Sequence, residues 1–353
     1  MPELVRKMPR RLLIGAVLLL AAAAAGGYAL LEHNYTAPGP SAAPVRLNVT
    51  AGESLHEVFT QLAGSGALRH PRAVEAYMRL RGIEPRIEIG VYDIPAHASP
   101  AQIVRLFIEG RVVLDRITVV DGTTFAEFLH ELDADPDIDP TLRGRSSQQI
   151  MAALGHPGES PEGRFFPSTY VFSPGTPDLT ILRMAYEKMS SLLARIWRRR
   201  GTDLPLKTPY QALILASMIE KETGVRGERR RIAGVFVNRL RRGMKLQSDP
   251  TVIYGLGSRY HGVITVRDLT TDTPYNTYTR GGLPPTPICL PGRRSLQAAV
   301  HPDKTRDLYF VATGKGGHHF SRTLATHDAQ VRRYLAQLRL QRARAGRRRV
   351  GER

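Results

Sequence analysis

Between Leu12 and Leu31 the chain runs for 20 residues without a charged side chain. As a helix, such a segment extends about 30 Å, the thickness of a bilayer's hydrocarbon core. It is either a membrane span or the core of an export signal, and both send the rest of the chain across a membrane. Arg6, Lys7, Arg10 and Arg11 precede the stretch and Glu32 follows it. Residues 1–11 are therefore expected to stay cytoplasmic, and everything after Glu32 to be exported. The small residues Ala21 to Gly27 resemble a processing region, but the apolar run exceeds the roughly 7 to 15 residues of a signal core. We read residues 12–31 as a retained transmembrane helix. No later segment approaches the roughly 18 apolar residues a second span needs.

With 42% hydrophobic and 23% charged residues, the exported part can bury enough apolar surface to fold, which excludes wholesale disorder. Cys289 is the single cysteine, so an internal disulfide and a cysteine zinc site are excluded. The balance of 50 Lys+Arg against 32 Asp+Glu gives +18. Part of this excess sits in a basic tail, residues 339–353, with Arg342, Arg344, Arg347, Arg348, Arg349 and Arg353. Such a tail raises the question of nucleic acid. Export and the lack of interleaved aromatics argue for a solvated tail and no nucleic-acid partner.

Residues 32–45 read as a linker, with Tyr35 to Pro44 a Pro/Ala/Ser-rich spacer. Two later stretches repeat each other: Ala51-Gly52-Glu53-Ser54 through Phe59, and Asp121-Gly122-Thr123-Thr124 through Leu129. Each has a glycine turn, then a hydroxyl residue with Glu three positions on, the signature of a capping box at a helix start. Each follows a β-rich run, Val45 to Val49 and Ile117 to Val120, so the unit is strand, turn, helix. Between them, Pro71 opens a helix that Gly82 closes, and Ser99-Pro100 with Gln102 opens another that ends by Gly110. Residues 46–114 thus read as a compact α+β module. Asp133 to Pro161, rich in Asp, Pro, Gly and Ser, reads as a linking stretch. From Leu179 to Arg200 the residues Leu182, Met184, Ala185, Met189, Leu192, Leu193, Ile196 and Trp197 recur at helical spacing and are assigned to the core.

Thr208-Pro209-Tyr210-Gln211 is another capping box, opening a helix that runs through Leu213, Ile214, Leu215, Ala216, Met218 and Ile219 to Glu220-Lys221-Glu222. Its middle is apolar on every face, so it should be buried. A carboxyl group at the end of a buried helix asks for a functional explanation, because burial disfavours the charged form and suits a general acid. Glu220 continues the stripe of Leu213, Ala216 and Ser217, whose small members leave room for a substrate; Glu222 continues that of Leu215, Met218 and Ile219. Spacing leaves both in play, and leaves open that they are solvated partners of Lys221 or Arg226.

Ala216-Ser217-Met218-Ile219-Glu220-Lys221-Glu222-Thr223 resembles the signature of the endolytic murein transglycosylases, the MltG (YceG-like) family. Further blocks follow in the order the family has them: Asn238-Arg239-Leu240, Leu246 through Gly255, Tyr275-Asn276-Thr277-Tyr278, Gly282-Leu283-Pro284-Pro285, His301-Pro302, Leu308 through Val311 and Gly316-Gly317-His318. Upstream, Gly90-Val91-Tyr92, Glu162-Gly163 and Phe166 through Tyr170 match as well. Two positions depart: Ser168 stands where the family usually has Asp, and Cys289-Leu290 replaces a small residue and Asn before Pro291-Gly292.

The resemblance implies an α+β fold with an N-terminal transmembrane helix, a LysM-like glycan-binding subdomain over 46–114 and a YceG-like catalytic domain over 115–338. It implies a protein of the inner membrane whose periplasmic part cuts peptidoglycan glycan strands internally, at a bond from N-acetylmuramic acid to N-acetylglucosamine. Glu220 matches the catalytic glutamate. Such a lyase uses the sugar's own C6 hydroxyl as nucleophile, so one principal carboxyl group suffices and no metal or organic cofactor is called for. Ser248, Asp249, Tyr254, Tyr275, Asn276 and Tyr278 are candidates for the glycan cleft, since rings cover sugar faces while amides and hydroxyls bind their edges. For the tyrosines, core packing with a satisfied hydroxyl is the competing reading, and for Asp249 a turn or helix cap. His318, beside two glycines, is a candidate to orient substrate or a plain loop histidine. Cell-wall synthases (penicillin-binding proteins) are the protein partners the family suggests. From a different class, a non-catalytic wall-binding scaffold is the alternative, and a hydrolase giving reducing ends differs only in product.

Rival constellations are weaker. Thr313-Gly314-Lys315-Gly316-Gly317 lacks the first glycine and the Ser or Thr of a phosphate loop. His318, His319 and His327 lack the spacing of a helical zinc pair. Ser217 lacks the glycine elbow of a hydrolase nucleophile.

Overall fold

The computed structural model describes residues 10–50, 52–225 and 227–351, with side chains given for 11 and 13–339 of these. Most of the expected cytoplasmic flank, residues 1–9, and Arg353 of the basic tail lie outside the described residues. The chain divides into two compact units, one of residues up to 115 with 171–175, the other of 116–170 and 176–353.

The first unit begins with helix α1 (Arg10–Thr36). Among the described residues it is the one helix long and apolar enough to cross a membrane, over Leu13–Thr36, with mean hydropathy 2.1 and none of it buried. The following segment, expected as a free spacer, is tied down. Gly39 donates its amide to His97 O and His97 its own to Ser41 O. A Cβ at residue 39 would lie 2.3 Å from Ala98 O, so only glycine fits this close approach. Strand β1 (Val45–Val49) pairs antiparallel with β2 (Gly90–Ile94), in register from Val45 opposite Ile94 to Val49 opposite Gly90.

Alternation on β1 buries Leu47 and Val49 while Arg46 and Asn48 face solvent. Three helices cover the buried face: α2 (Leu55–Gly64), α3 (Pro71–Arg81) and α4 (Pro100–Ile108). Ser54 and Ser99 make complete capping boxes with Glu57 and Gln102, and Gly82 ends α3 in the left-handed conformation, φ 63°. Phe59, Leu62, Met78, Tyr92, Ile103 and Phe107 form the core, with Tyr92 and Phe107 edge to face at 4.9 Å.

In the second unit, β3 (Asp115–Thr118, whose first residue belongs to the first unit) leads through a glycine turn into α5 (Phe125–Ala134). The strand stops two residues short of the expected Val120. The stretch from Asp133 to Pro161 is folded rather than linking. It holds β4 (Ile138–Asp139) and α6 (Ser147–Ala153), which Ser146 caps with Gln149, and it buries Ile150, Met151 and Leu154. Its Asp, Gly and Ser residues serve turns and caps, which is why composition alone misreads it. After β5 (Thr169–Phe172, whose last two residues belong to the first unit) and β6 (Thr176–Pro177, parallel to β4) comes the long helix α7 (Asp178–Arg198). Its expected core face is buried except Met184, which is exposed, and Trp197, which is half-buried under the Arg200 guanidinium, 4.3 Å from its ring.

Helix α8 (Pro209–Glu222) is buried without interruption from Ala212 to Ile219. α7, α9 (Arg229–Arg241) and α12 (Arg293–Val300) enclose it. Only half of its capping box forms: Thr208 accepts the Gln211 amide, but Gln211 Oε1 takes the Lys207 amide at 2.6 Å instead of that of Thr208. The remaining elements are α10 (Asp249–Leu256) with a short 3₁₀ turn (Gly257–Arg259), α11 (Val266–Thr270) and the hairpin β7 (Tyr309–Ala312) and β8 (His318–Ser321). Helix α13 (Leu324–Gly351) continues the backbone through most of the basic tail. The architecture is α+β.

Candidate active site

The two glutamates that end α8 face different surroundings. The Glu220 side chain is 4% exposed, so the expected burial is present, and polar partners meet its carboxyl. Arg229 Nη2 donates to Glu220 Oε1 at 2.8 Å, and the Gly292 amide donates to Oε2 at 2.9 Å. Arg229 is itself held by Ser295 Oγ, 3.1 Å from its Nε. Ala216 and Ser217 do not leave room for a substrate. Ser217 Oγ donates to Ile214 O, accepts the Ile288 amide at 3.0 Å, and Cys289 Sγ lies 3.3 Å from Ser217 O. The small residues therefore admit the buried segment Ile288–Leu290 against the helix.

That segment carries the construction of the site. Leu290 exchanges backbone hydrogen bonds with Gly122 (2.9 Å) and Thr123 (2.7 Å), joining the glycine turn before α5 to the residues that lead into Gly292. Asp121 thereby comes against Gly292, close to the Glu220 contact. A Cβ at residue 292 would lie 2.2 Å from Asp121 Oδ2, so the site needs glycine there. Burial first, and then the neighbouring Glu220 charge, push the Asp121 carboxyl above the ordinary Asp range, while Arg229 and Arg294 oppose them. Lys221 Nζ donates to Gly122 O at 3.3 Å. Asp121, Gly122, Glu127 and Lys221 line an open cavity of about 680 Å³.

Glu222 meets Ser248 Oγ, which donates to its Oε1, with Asp249 and Arg239 nearby. Burial pushes Glu222 up to about 7, outweighing the Ser248 hydrogen bond. Tyr278 donates its hydroxyl to Asp249 Oδ1, completing a Glu222–Ser248–Asp249–Tyr278 cluster. A third buried carboxyl, Glu162, accepts the Phe125 amide at 3.1 Å and the Tyr254 hydroxyl at 3.0 Å, and burial pushes it up to about 7 as well. Tyr254 and Tyr275 meet edge to face at 4.9 Å, and the Tyr275 hydroxyl is 2.8 Å from Thr286 Oγ1.

Other expected sugar ligands have their polar groups spent within the protein. The Asn276 amide donates to the carbonyls of Asp268, Leu269 and Thr271, and its Oδ1 accepts the Tyr278 amide. With the side chain 1% accessible, Asn276 is a staple of the 268–278 loop and has no group left for a sugar. Ser248 is likewise buried. His318 Nδ1 lies 2.8 Å from Glu228 Oε2, whose partner oxygen accepts the His318 amide at 2.8 Å. Burial would raise the Glu228 carboxyl, but these hydrogen bonds prevail and lower it. His327 stacks on Tyr309 instead of joining His318. Lys188 donates to Ser168 Oγ at 2.8 Å.

Asp121, Arg229 and Gly292 are the neighbours sequence reading missed. Of the three only Asp121 has a local signal, the repeat, whose second copy has Asp121 where the first has Ala51.

Fold and site together define an α+β protein with two carboxyl groups, Glu220 and Glu222, at the end of a buried helix. Residues 47–333 match the model of the YceG-like family. The chain belongs to that family. It is 28% identical over 313 residues to a Bacillus subtilis protein named endolytic murein transglycosylase, covering 84% of this chain and 86% of that one. A Streptococcus pneumoniae protein of the same name is 24% identical over 325 residues, covering 82% of this chain and 58% of the relative. A crystal structure of a YceG-like protein from Listeria monocytogenes superposes with TM-score 0.50 at 27% identity, covering 82% of this chain and 99% of that one.

Proposed function

We propose that this protein is a membrane-anchored endolytic lytic transglycosylase. It cuts the bond from N-acetylmuramic acid to N-acetylglucosamine within peptidoglycan strands and leaves 1,6-anhydro ends. The observation that carries the reading is the Glu220 carboxyl at the end of a buried helix, oriented by Arg229 and the Gly292 amide with Asp121 beside it. The relatives named endolytic murein transglycosylase support the same reading.

In the first half-reaction Glu220 acts as general acid, passing a proton to the departing glycosidic oxygen as the bond to C1 breaks. In the second, the carboxylate that Arg229 and Gly292 hold takes the proton of the C6 hydroxyl as that oxygen bonds to C1. Intramolecular attack supplies a high effective concentration, so no protein nucleophile is needed. Tyr254, Tyr275, Asp249 and Tyr278 would line the strand. Residues 46–114 would act as the LysM-like glycan-binding subdomain and 115–338 as the catalytic domain. The apolar helix would fix the protein in the inner membrane with its catalytic part periplasmic, beside synthases that supply nascent strands.

Mass spectrometry of digested strands tests this: anhydro-ended fragments are expected. A water-added mass would make the protein a hydrolase, the reading that Asp121 as a second carboxyl would favour, and uncut strands would make it a scaffold.

A further inference from the structure

Behind Glu220 lies a second cavity of about 600 Å³, enclosed by α7, α9 and α12. Six arginines line it, Arg195, Arg199, Arg229, Arg230, Arg293 and Arg294, and no carboxylate does. Arg229 is committed to Glu220 and Arg230 pairs with Asp303 at 3.2 Å. Among the described residues, Arg195, Arg199, Arg293 and Arg294 have no carboxylate within ion-pair distance; Arg195 donates only to the Ser191 hydroxyl. Arg294 also feels the Asp121 carboxyl, which leaves Arg195, Arg199 and Arg293 as the guanidinium groups with no acidic partner here; like charges gathered around one concavity favour an anion, and their planar forks match carboxylates in particular. The floor is apolar, made by Leu192, Ile196 and Ala298.

We infer that this cavity is a subsite for the carboxylates of the peptide branches that peptidoglycan strands carry. The inference rests on the substrate class proposed above. Two features select the ligand. Arg229 lines the cavity and touches Glu220, so the cavity opens within a side branch's reach of the scissile bond. The apolar floor suits amino-acid side chains as well as their charged groups. A diphosphate at a strand's lipid-linked end offers similar charge, but it occurs once per strand and away from an internal cut.

The test is calorimetric binding, to the full-length protein, of a disaccharide bearing its peptide and of the same disaccharide stripped of it. Wild type should bind the peptide-bearing form about tenfold tighter. Joint Arg195→Ala and Arg199→Ala replacement should bring that ratio close to one, and Arg199→Lys alone should keep part of it. Equal binding of both disaccharides by wild type overturns the inference. So does displacement by inorganic pyrophosphate of a site that takes no peptide. If strands are never cut yet the peptide is bound through the arginines, the proposed activity falls and the subsite stands. If stripped and intact strands are cut with equal kcat/KM and bound equally, the subsite falls and the activity stands.

Discussion

The two strand–turn–helix repeats start from the same glycine-turn and capping pattern and end in different service. Both open their helix with a complete capping box, Ser54 with Glu57 and Thr124 with Glu127. In the first copy the described residues of the turn bond locally: the Thr50 amide is taken by Glu53, and a Cβ at Gly52 would meet nothing within 4 Å. In the second copy the turn is bonded through Gly122 and Thr123 to Leu290, and it delivers Asp121 to the flank of Gly292 and Glu220. The cap sets the start of a helix in both; what the turn is bonded to decides whether its residues enter a site. One distant backbone pairing thus brings a duplicated structural element up against Glu220.

The contrast can be broken most severely at Gly292. Gly292→Ala puts a methyl group against Asp121 and should lower cleavage about 100-fold, since either Asp121 or the amide on Glu220 must move. A variant with near-normal kcat would mean that this turn is as passive as the one at Gly52.

Glu222 sharpens the contrast from the other end of the site. Its folded carboxyl is raised to about 7 by burial, so the folded state holds a proton that the unfolded chain releases. Stability linked to this group is complete below the ordinary Glu range and is lost as pH rises through about 7. Melting curves should therefore show wild type losing on the order of 3 kcal/mol between about pH 4.5 and 7, relative to Glu222→Gln, whose neutral amide can still accept the Ser248 hydroxyl. Parallel pH profiles for the two proteins would remove Glu222 as the titrating group.

The smallest effect compares the copies directly. Ser54→Ala and Thr124→Ala should each cost about 1 kcal/mol of stability, as the loss of a cap does. Only Thr124→Ala should also lower kcat, because it loosens the turn that carries Asp121. Equal kcat losses would erase the distinction between the repeats.

The parts of this fold legible in the sequence are those decided locally. Capping boxes, the glycine end of α3 and the unbroken apolar run of α8 declare themselves within a few residues, and the structure has them. What surrounds Glu220 does not: Arg229 comes from 9 residues away and Gly292 from 72, by pairings that no local pattern encodes. Burial was readable at residue 220, but burial alone does not say whether an apolar wall or an arginine will meet the carboxyl. Asn276 misleads in the same way, because its amide suits a sugar as well as it suits three carbonyls of its own loop. Composition misleads between Asp133 and Pro161, where turn-forming residues build a folded segment instead of a linker.

The central claim is that Glu220, and not its near neighbour Glu222, moves the proton. Rates of anhydro-ended product formation from uncrosslinked strands, measured side by side for Glu220→Gln and Glu222→Gln, test it most directly. The account predicts a loss of about 10³-fold or more for Glu220→Gln and less than about threefold for Glu222→Gln. A Glu220→Gln protein that still releases anhydro-ended fragments at near wild-type rate, with Glu222→Gln inactive, would contradict it.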